Sequence, residues 1–191
     1  MPMKNDSSTV IVRVNRNRLR KSLPQLHSSF HRDKFRKTRS SRMATKKLGL
    51  DYIKNLADYA TGKQGFDRVL RMIKLTEGGD GHCLGEFTVQ KEHLNRDGVM
   101  HGGLTGTIVD NVTSYAMISK GKHPGVTANL SVSYVTPANL GDVLEVEAKT
   151  VRAGNKMAYL DLVIRRKSDG RVIAKGGQVK YIQFDKKKLD F

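Results

Sequence analysis

The sequence predicts an α+β domain in which a mostly antiparallel sheet wraps one central buried helix. Three observations predict it. Residues Leu104 to Ser119 are apolar on nearly all sides, the mark of a helix enclosed by other structure. After Pro124-Gly125 the period changes to strict alternation, with Val126, Ala128, Leu130, Val132 and Tyr134 on one face. Three more strand-like runs follow, separated by short turn signals.

Taken in order, Asp51 to Thr61 places Ile53, Leu56, Ala57 and Ala60 at helical spacing, and Gly62 ends the run. Arg68 to Leu75 and His82 to Val89 read as two strands around Gly78-Gly79-Asp80-Gly81. The buried helix comes next, then the strand from Val126. Asn139-Leu140-Gly141 turns the chain into Val143 to Val151. Ala153-Gly154-Asn155 leads to Met157 to Arg166, and Ser168-Asp169-Gly170 leads to Val172 to Phe184. Lys186-Lys187-Lys188 reads as a solvated end.

The 191 residues divide into a tail, 1–42, and a domain, 43–191, long enough for one proper core. The formal charge is +17, of which the tail carries +10. Its composition cannot build a core. Rich in Arg and Ser and poor in acids, it reads as a mitochondrial transit peptide. A disordered basic tail and a nucleic-acid-binding tail are the alternatives. Phe30 and Phe35 are its only aromatics, so base stacking has little support and a nucleic-acid partner is not expected. Met43 opens Met-Ala-Thr-Lys-Lys, an alternative start, and a cytoplasmic location is the alternative to a mitochondrial one.

The domain is moderately basic, which suits either solubility or a polyanionic ligand such as a nucleotide phosphate. Cys83 is the single cysteine and reads as a core residue. The longest charge-free run, His123 to Gly141, holds two prolines and many polar residues, so no membrane span is expected. CxxC, HExxH, GxxxxGK[ST] and GxSxG are absent, which removes most support for metal, nucleoside-triphosphate and serine-hydrolase chemistry. No metal or cofactor is expected. His82, His93 and His123 read as surface or strand residues.

The chemistry concentrates in residues 95–111. A loop ends in His101-Gly102-Gly103 and the apolar helix begins at once. N–H groups at such a start lie at the positive end of the helix dipole and can hold a developing anion. Within the helix sits a carboxylate, Asp110, with no cation beside it in sequence. Placing it among Leu104, Ile108, Val109 and Val112 is costly without a task or partners. The pairing suggests hydrolysis of an activated carbonyl. Gly102 and Asp110 are eight residues apart, roughly 12 Å along a helix at about 1.5 Å per residue. A general base must sit within about 3 Å of its target or reach it through one water. Either the two groups do not cooperate or a second copy supplies the other half, as two antiparallel helices across a two-fold axis would allow.

Asn95, His101-Gly102-Gly103 and Asp110-Asn111 resemble the hotdog-fold acyl-CoA thioesterases of the PaaI-like type, in particular the animal thioesterase superfamily member 2 proteins. The resemblance runs from about Leu50 to Tyr181. It takes in Pro124-Gly125-Val126, Tyr134 with Pro137-Ala138, the Gly141-Asp142 turn and Gly154. Residues 1–42 lie outside it. It implies a metal-independent thioester hydrolase of fatty acid metabolism, a homotetramer made of two dimers. The Gly102 N–H would bind the thioester oxygen with help from Asn95, and His101 would shape that pocket. Asp110 of the second chain would activate or align the water. Thr127, which stands where the animal relatives of that type carry serine, would help hold it. Tyr134, Arg152, Gly154, Asn155, Lys156 and Tyr181 fall where the family binds CoA. The rival readings are a hotdog dehydratase or hydratase, and a non-enzymatic acyl-CoA sensor whose tail binds nucleic acid. Acyl-chain length is not legible, because several strands and a second chain make the tunnel.

Overall fold

A computed structural model describes residues 48–62 and 65–183. The readings of residues 1–42 and 186–188 lie outside the described residues. Helix α1 spans Leu50–Gly62 and packs Ile53 into the core beside Leu50, Leu56 and Ala57. Strands β1 (Lys74–Gly79) and β2 (His82–Thr88) form a hairpin, followed by the long helix α2 (Gly102–Ile118). Strands β3 (Val126–Tyr134), β4 (Val143–Ala153), β5 (Met157–Arg166) and β6 (Val172–Tyr181) complete the chain. The sheet has the order β1-β2-β4-β5-β6-β3, and every adjacent pair is antiparallel.

Period-two burial drives this arrangement. Leu144, Val146 and Ala148 of β4, with Leu162 and Ile164 of β5, turn one face inward. Ile108, Val109, Val112, Tyr115 and Ala116 of α2 cover that face. Complete burial of each Ile or Val is worth about 1.5–3 kcal/mol, so the helix is anchored by its side chains and not by propensity. Cys83 is buried in this core, and burial pushes its thiol up to about 12, where it stays protonated. The helix approaches the sheet closely at β6: a Cβ on Gly176 would lie 2.4 Å from Val109 Cγ2.

Three readings are corrected. Arg68 to Met72 is not strand; Phe66–Met72 is a 3₁₀ helix that buries Leu70, and β1 starts only at Lys74. The segment has paired rather than alternating apolar residues, Val69-Leu70 and Met72-Ile73, a pattern that a short helix satisfies. Strand β1 continues through Gly78 and Gly79, leaving Asp80-Gly81 alone as a tight turn with φ of 50° and 89°. The face assigned to β3 is also interrupted. Thr127 pairs with Lys180 but Asn129 pairs with Val179, so an extra residue bulges between them. Thr127, Leu130, Val132 and Tyr134 therefore face α2, and Val126 turns to the opposite side.

Candidate active site

The start of α2 is built by its own loop. His101 is the N-cap, with φ −65° and ψ 129°, and its Nδ1 accepts from the Gly103 N–H at 2.8 Å. The His101 carbonyl accepts from the Leu104 and Thr105 N–H groups. Three of the four orphan donors of the helix are thereby satisfied. Among the described residues no acceptor engages the fourth, Gly102 N–H. With Nδ1 accepting, the neutral His101 ring carries its proton on Nε2. Its backbone N–H donates to the His93 carbonyl at 2.8 Å. His93 is a correction: it is buried at the end of a short 3₁₀ helix, Lys91–His93, its ring edge-on to Phe87 and its Nδ1 accepting from the Gln90 N–H.

Asn95 faces the same spot. Its Oδ1 accepts from the Asp97 and Val99 N–H groups at 2.9 and 3.3 Å, so Asn95 does make its turn. That leaves Nδ2 as the atom able to donate. Asn95, Gly102 and Tyr134 line one cavity of about 350 Å³, walled by Met100, Pro137 and Ile173. The Tyr134 hydroxyl donates to the Gly102 carbonyl at 2.9 Å. A Cβ on Gly102 would stand 3.1 Å from that hydroxyl oxygen, which accounts for glycine here. A groove of about 400 Å³ opens beside His101, with Phe66, Val69, Met72, Leu94 and Leu104 as its apolar lining and Arg68, Arg71 and Glu92 also in its walls.

Asp110 lies two turns further along α2, with 46% of its side chain exposed. The expectation of a buried carboxylate without a cation is corrected on both counts. Thr127 Oγ1 lies 3.0 Å from Asp110 Oδ1, and Lys180 Nζ lies 3.7 Å from the same oxygen. Lys180 also donates to Ser114 Oγ at 2.8 Å. Burial lowers the Lys180 pKa from the ordinary lysine range, and the Asp110 charge opposes that shift only in part. Gln178, only 2% exposed, spans the rest of the seam. Its Nε2 donates to the Asp110 carbonyl at 2.7 Å and also meets Thr113 Oγ1, while its Oε1 lies 2.9 Å from Thr127 Oγ1. The Asp110 carbonyl can only accept, so it fixes which end of the amide points where. Neither Gln178 nor Lys180 was visible as a site residue in the sequence.

The candidate residues of one chain therefore fall into two separated groups. The first, the candidate oxyanion half, gathers Asn95, His101, Gly102 and Tyr134 at the start of α2. The second, the candidate acid half, gathers Asp110 and Thr127 beside Lys180, and the β4–β5 hairpin with Arg152, Gly154, Asn155 and Lys156 leads into Ala158, the cross-strand partner of Lys180. Tyr181 opposes Met157 and Val126 at that same end, and the Ile182 N–H donates to the Lys156 carbonyl. Tyr134 sits apart from the other suggested CoA residues, seven positions along β3 from Thr127, roughly 23 Å at about 3.3 Å per residue. Strand β3 forms an edge of the sheet and is exposed over nearly its whole length.

A hotdog sheet wraps the long helix, which carries Gly102 at its start and Asp110 two turns further on. Residues 97–173 match the thioesterase superfamily. Human acyl-coenzyme A thioesterase 13 is 33% identical over 123 residues, 64% of this chain and 88% of that protein. Zebrafish thioesterase superfamily member 2 superposes with a TM-score of 0.68 at 29% identity, covering 71% of this chain and 99% of that one. A thioesterase protein from Streptococcus pneumoniae, solved with coenzyme A, gives 0.56 at 28% identity over 58% of this chain and 85% of its own. The chain belongs to the thioesterase superfamily.

Proposed function

We propose that this chain hydrolyses acyl-CoA thioesters to the free acid and CoA, at sites shared between two copies. The carrying observation is the separation of the unengaged Gly102 N–H from Asp110 on one helix whose neighbouring edge strand is open. Pairing β3 with its copy about its middle brings the Tyr134 end of one chain to the Thr127 end of the other. The Gly102 oxyanion half then faces Asp110 of the second copy, and the split CoA residues rejoin. The 33% identity to a named acyl-CoA thioesterase supports the substrate class.

In this reading the thioester oxygen sits between the Gly102 N–H and Asn95 Nδ2, with His101 fixing the helix start. Asp110 takes a proton from water held by Thr127, and the oxygen attacks the carbonyl carbon. The tetrahedral intermediate collapses by breaking the C–S bond, and the departing thiolate takes the proton from Asp110. Arg152 and Lys156, flanking the hairpin of Gly154 and Asn155, offer cations to CoA phosphates, with Tyr181 beside them. The groove beside Leu104 offers the acyl chain an apolar surface. No metal is needed, so activity persists in chelator. Residues 1–42 act as a mitochondrial targeting segment, checked by where a fusion of that segment to a fluorescent protein accumulates.

The test is thiol release over a panel of acyl-CoAs, with Asp110→Asn as control. Free thiol in proportion to protein, lost in the variant, is expected. Hydration of a 2-enoyl-CoA without thiol release would instead establish a hydratase. Binding of acyl-CoA with neither reaction would establish a sensor.

A further inference from the structure

We propose that Lys180 is a positioning residue for Asp110: its ammonium, fixed under α2 by Ser114, lies against Oδ1 of the carboxylate and orients the base for water. The proposal rests on the assignment of Asp110 as general base and adds a residue to it.

The placement is costly and so calls for a role. Lys180 projects from β6 onto the inner face of the sheet, where its cross-strand neighbour on β5 is the buried Ala158. Its side chain is 8% exposed. Burying an ammonium there is unfavourable unless it is paired and hydrogen-bonded, and an apolar residue would serve packing better. The donor accounting is specific. Ser114 Oγ donates its single hydrogen to the Asp110 carbonyl at 2.6 Å, so toward Lys180 it can only accept. Ser114 thus anchors Nζ and ties it to the same residue whose carboxylate it faces. Thr127 and Lys180 both address Oδ1, which leaves Oδ2 as the oxygen for the attacking water. Thr127 has one hydrogen and two acceptors, Asp110 Oδ1 and Gln178 Oε1. The anionic carboxylate is the stronger of the two acceptors and draws that hydrogen.

The groups facing Nζ are Asp110 and Ser114 from α2, Thr127 from β3, Ala158 from β5 and Gln178 on β6. Among them only Asp110 is charged. Its attraction is switched off when Lys180 loses its proton, and burial brings that loss below the ordinary lysine range. The sign follows directly: activity that depends on the ammonium is complete at lower pH and declines as pH rises through the lowered pKa.

The experiment measures kcat against pH for the full chain, by thiol release at saturating acyl-CoA with the uncatalysed rate subtracted. Wild type, Lys180→Arg and Lys180→Met are compared. Wild type should show an alkaline limb below the usual lysine range. Lys180→Arg, which keeps its charge throughout, should hold the plateau and lose that limb. Lys180→Met should lower the plateau by about 10–100-fold, the scale of one charge-assisted contact, with KM little changed and no limb. A flat alkaline profile in wild type, a limb retained in Lys180→Arg, or full turnover in Lys180→Met overturns the proposal. If Lys180→Met does not fold, the first two profiles decide. Asp110→Asn separates the layers: full activity there removes the general base itself, whereas its inactivity beside a fully active Lys180→Met removes only the lysine.

Discussion

Asp110 reaches across the seam between α2 and β6 with one carboxylate oxygen engaged by two partners, and that division makes its contribution measurable. Asp110→Asn preserves the shape and the Thr127 contact but removes the charge and the basicity. A positioned general base contributes ~10²–10⁴-fold, so kcat should fall by that order while KM stays within a few-fold, as initial-rate kinetics would reveal. Asn95→Ala removes a side-chain donor from the oxyanion half and should cost on the order of 10²–10³ in kcat. Thr127→Ser keeps the hydroxyl and should retain most turnover, whereas Thr127→Val, the same shape without the hydroxyl, should lose it in the same assay. The residues that were legible in the sequence share one property. Asn95, His101, Gly102 and Asp110 lie within one short loop and helix, so local spacing expresses their geometry. Gln178 and Lys180 were not legible because β6 offers two phases. Val179 and Tyr181 look like the core phase, yet they face away from α2, and the polar Gln178 and Lys180 point inward. An inward polar pair is intelligible only once Asp110 is known to lie above it.

Among the elements, α2 and the later strands were legible because their periods are long and unmixed. Phe66–Met72 was not, since seven residues are too few for a helical period to declare itself against a strand. The β3 bulge was hidden for a different reason. Its apolar alternation looks continuous through Ala128, and only the pairing with β6 shows that Thr127 has been turned toward Asp110. Bulges commonly re-aim a side chain beside a functional site, and here one supplies the hydroxyl. The seat of α2 depends on Gly176, where a methyl would meet Val109 at 2.4 Å. Gly176→Ala should destabilise the domain by about 1–3 kcal/mol through overpacking. Val109→Ala leaves a small cavity of its own, but in the double variant the two changes should compensate. A thermodynamic cycle in denaturant, with coupling of the order of 0.5–3 kcal/mol, is the check. Strict additivity would mean that the helix shifts freely and that its contact with β6 does not hold Asp110 in place.

For the whole molecule, the decisive quantity is how many chains complete one site. Under the proposed targeting role residues 1–42 take no part in catalysis, so a chain of residues 43–191 should keep its turnover number within a few-fold and should sediment as a dimer or a larger assembly. The sharing itself is tested by complementation. Asp110→Asn chains keep the oxyanion half, and Asn95→Ala chains keep the acid half. Each homodimer carries one defect in every site. In a mixed dimer, Asn95 of the first chain meets Asp110 of the second, and that site is intact, while the other site collects both defects. Random exchange makes about half of all dimers mixed, each with one working site of two, so activity should recover to about a quarter of wild type. The recovery should follow the kinetics of subunit exchange seen by native mass spectrometry and should vanish if the chains are crosslinked before mixing. Exchange without recovery would place Asn95 and Asp110 in the same chain's site. The roughly 12 Å of helix between Gly102 and Asp110 would then have to be spanned by the substrate or by a chain of waters, and a site complete within one chain would replace the shared one.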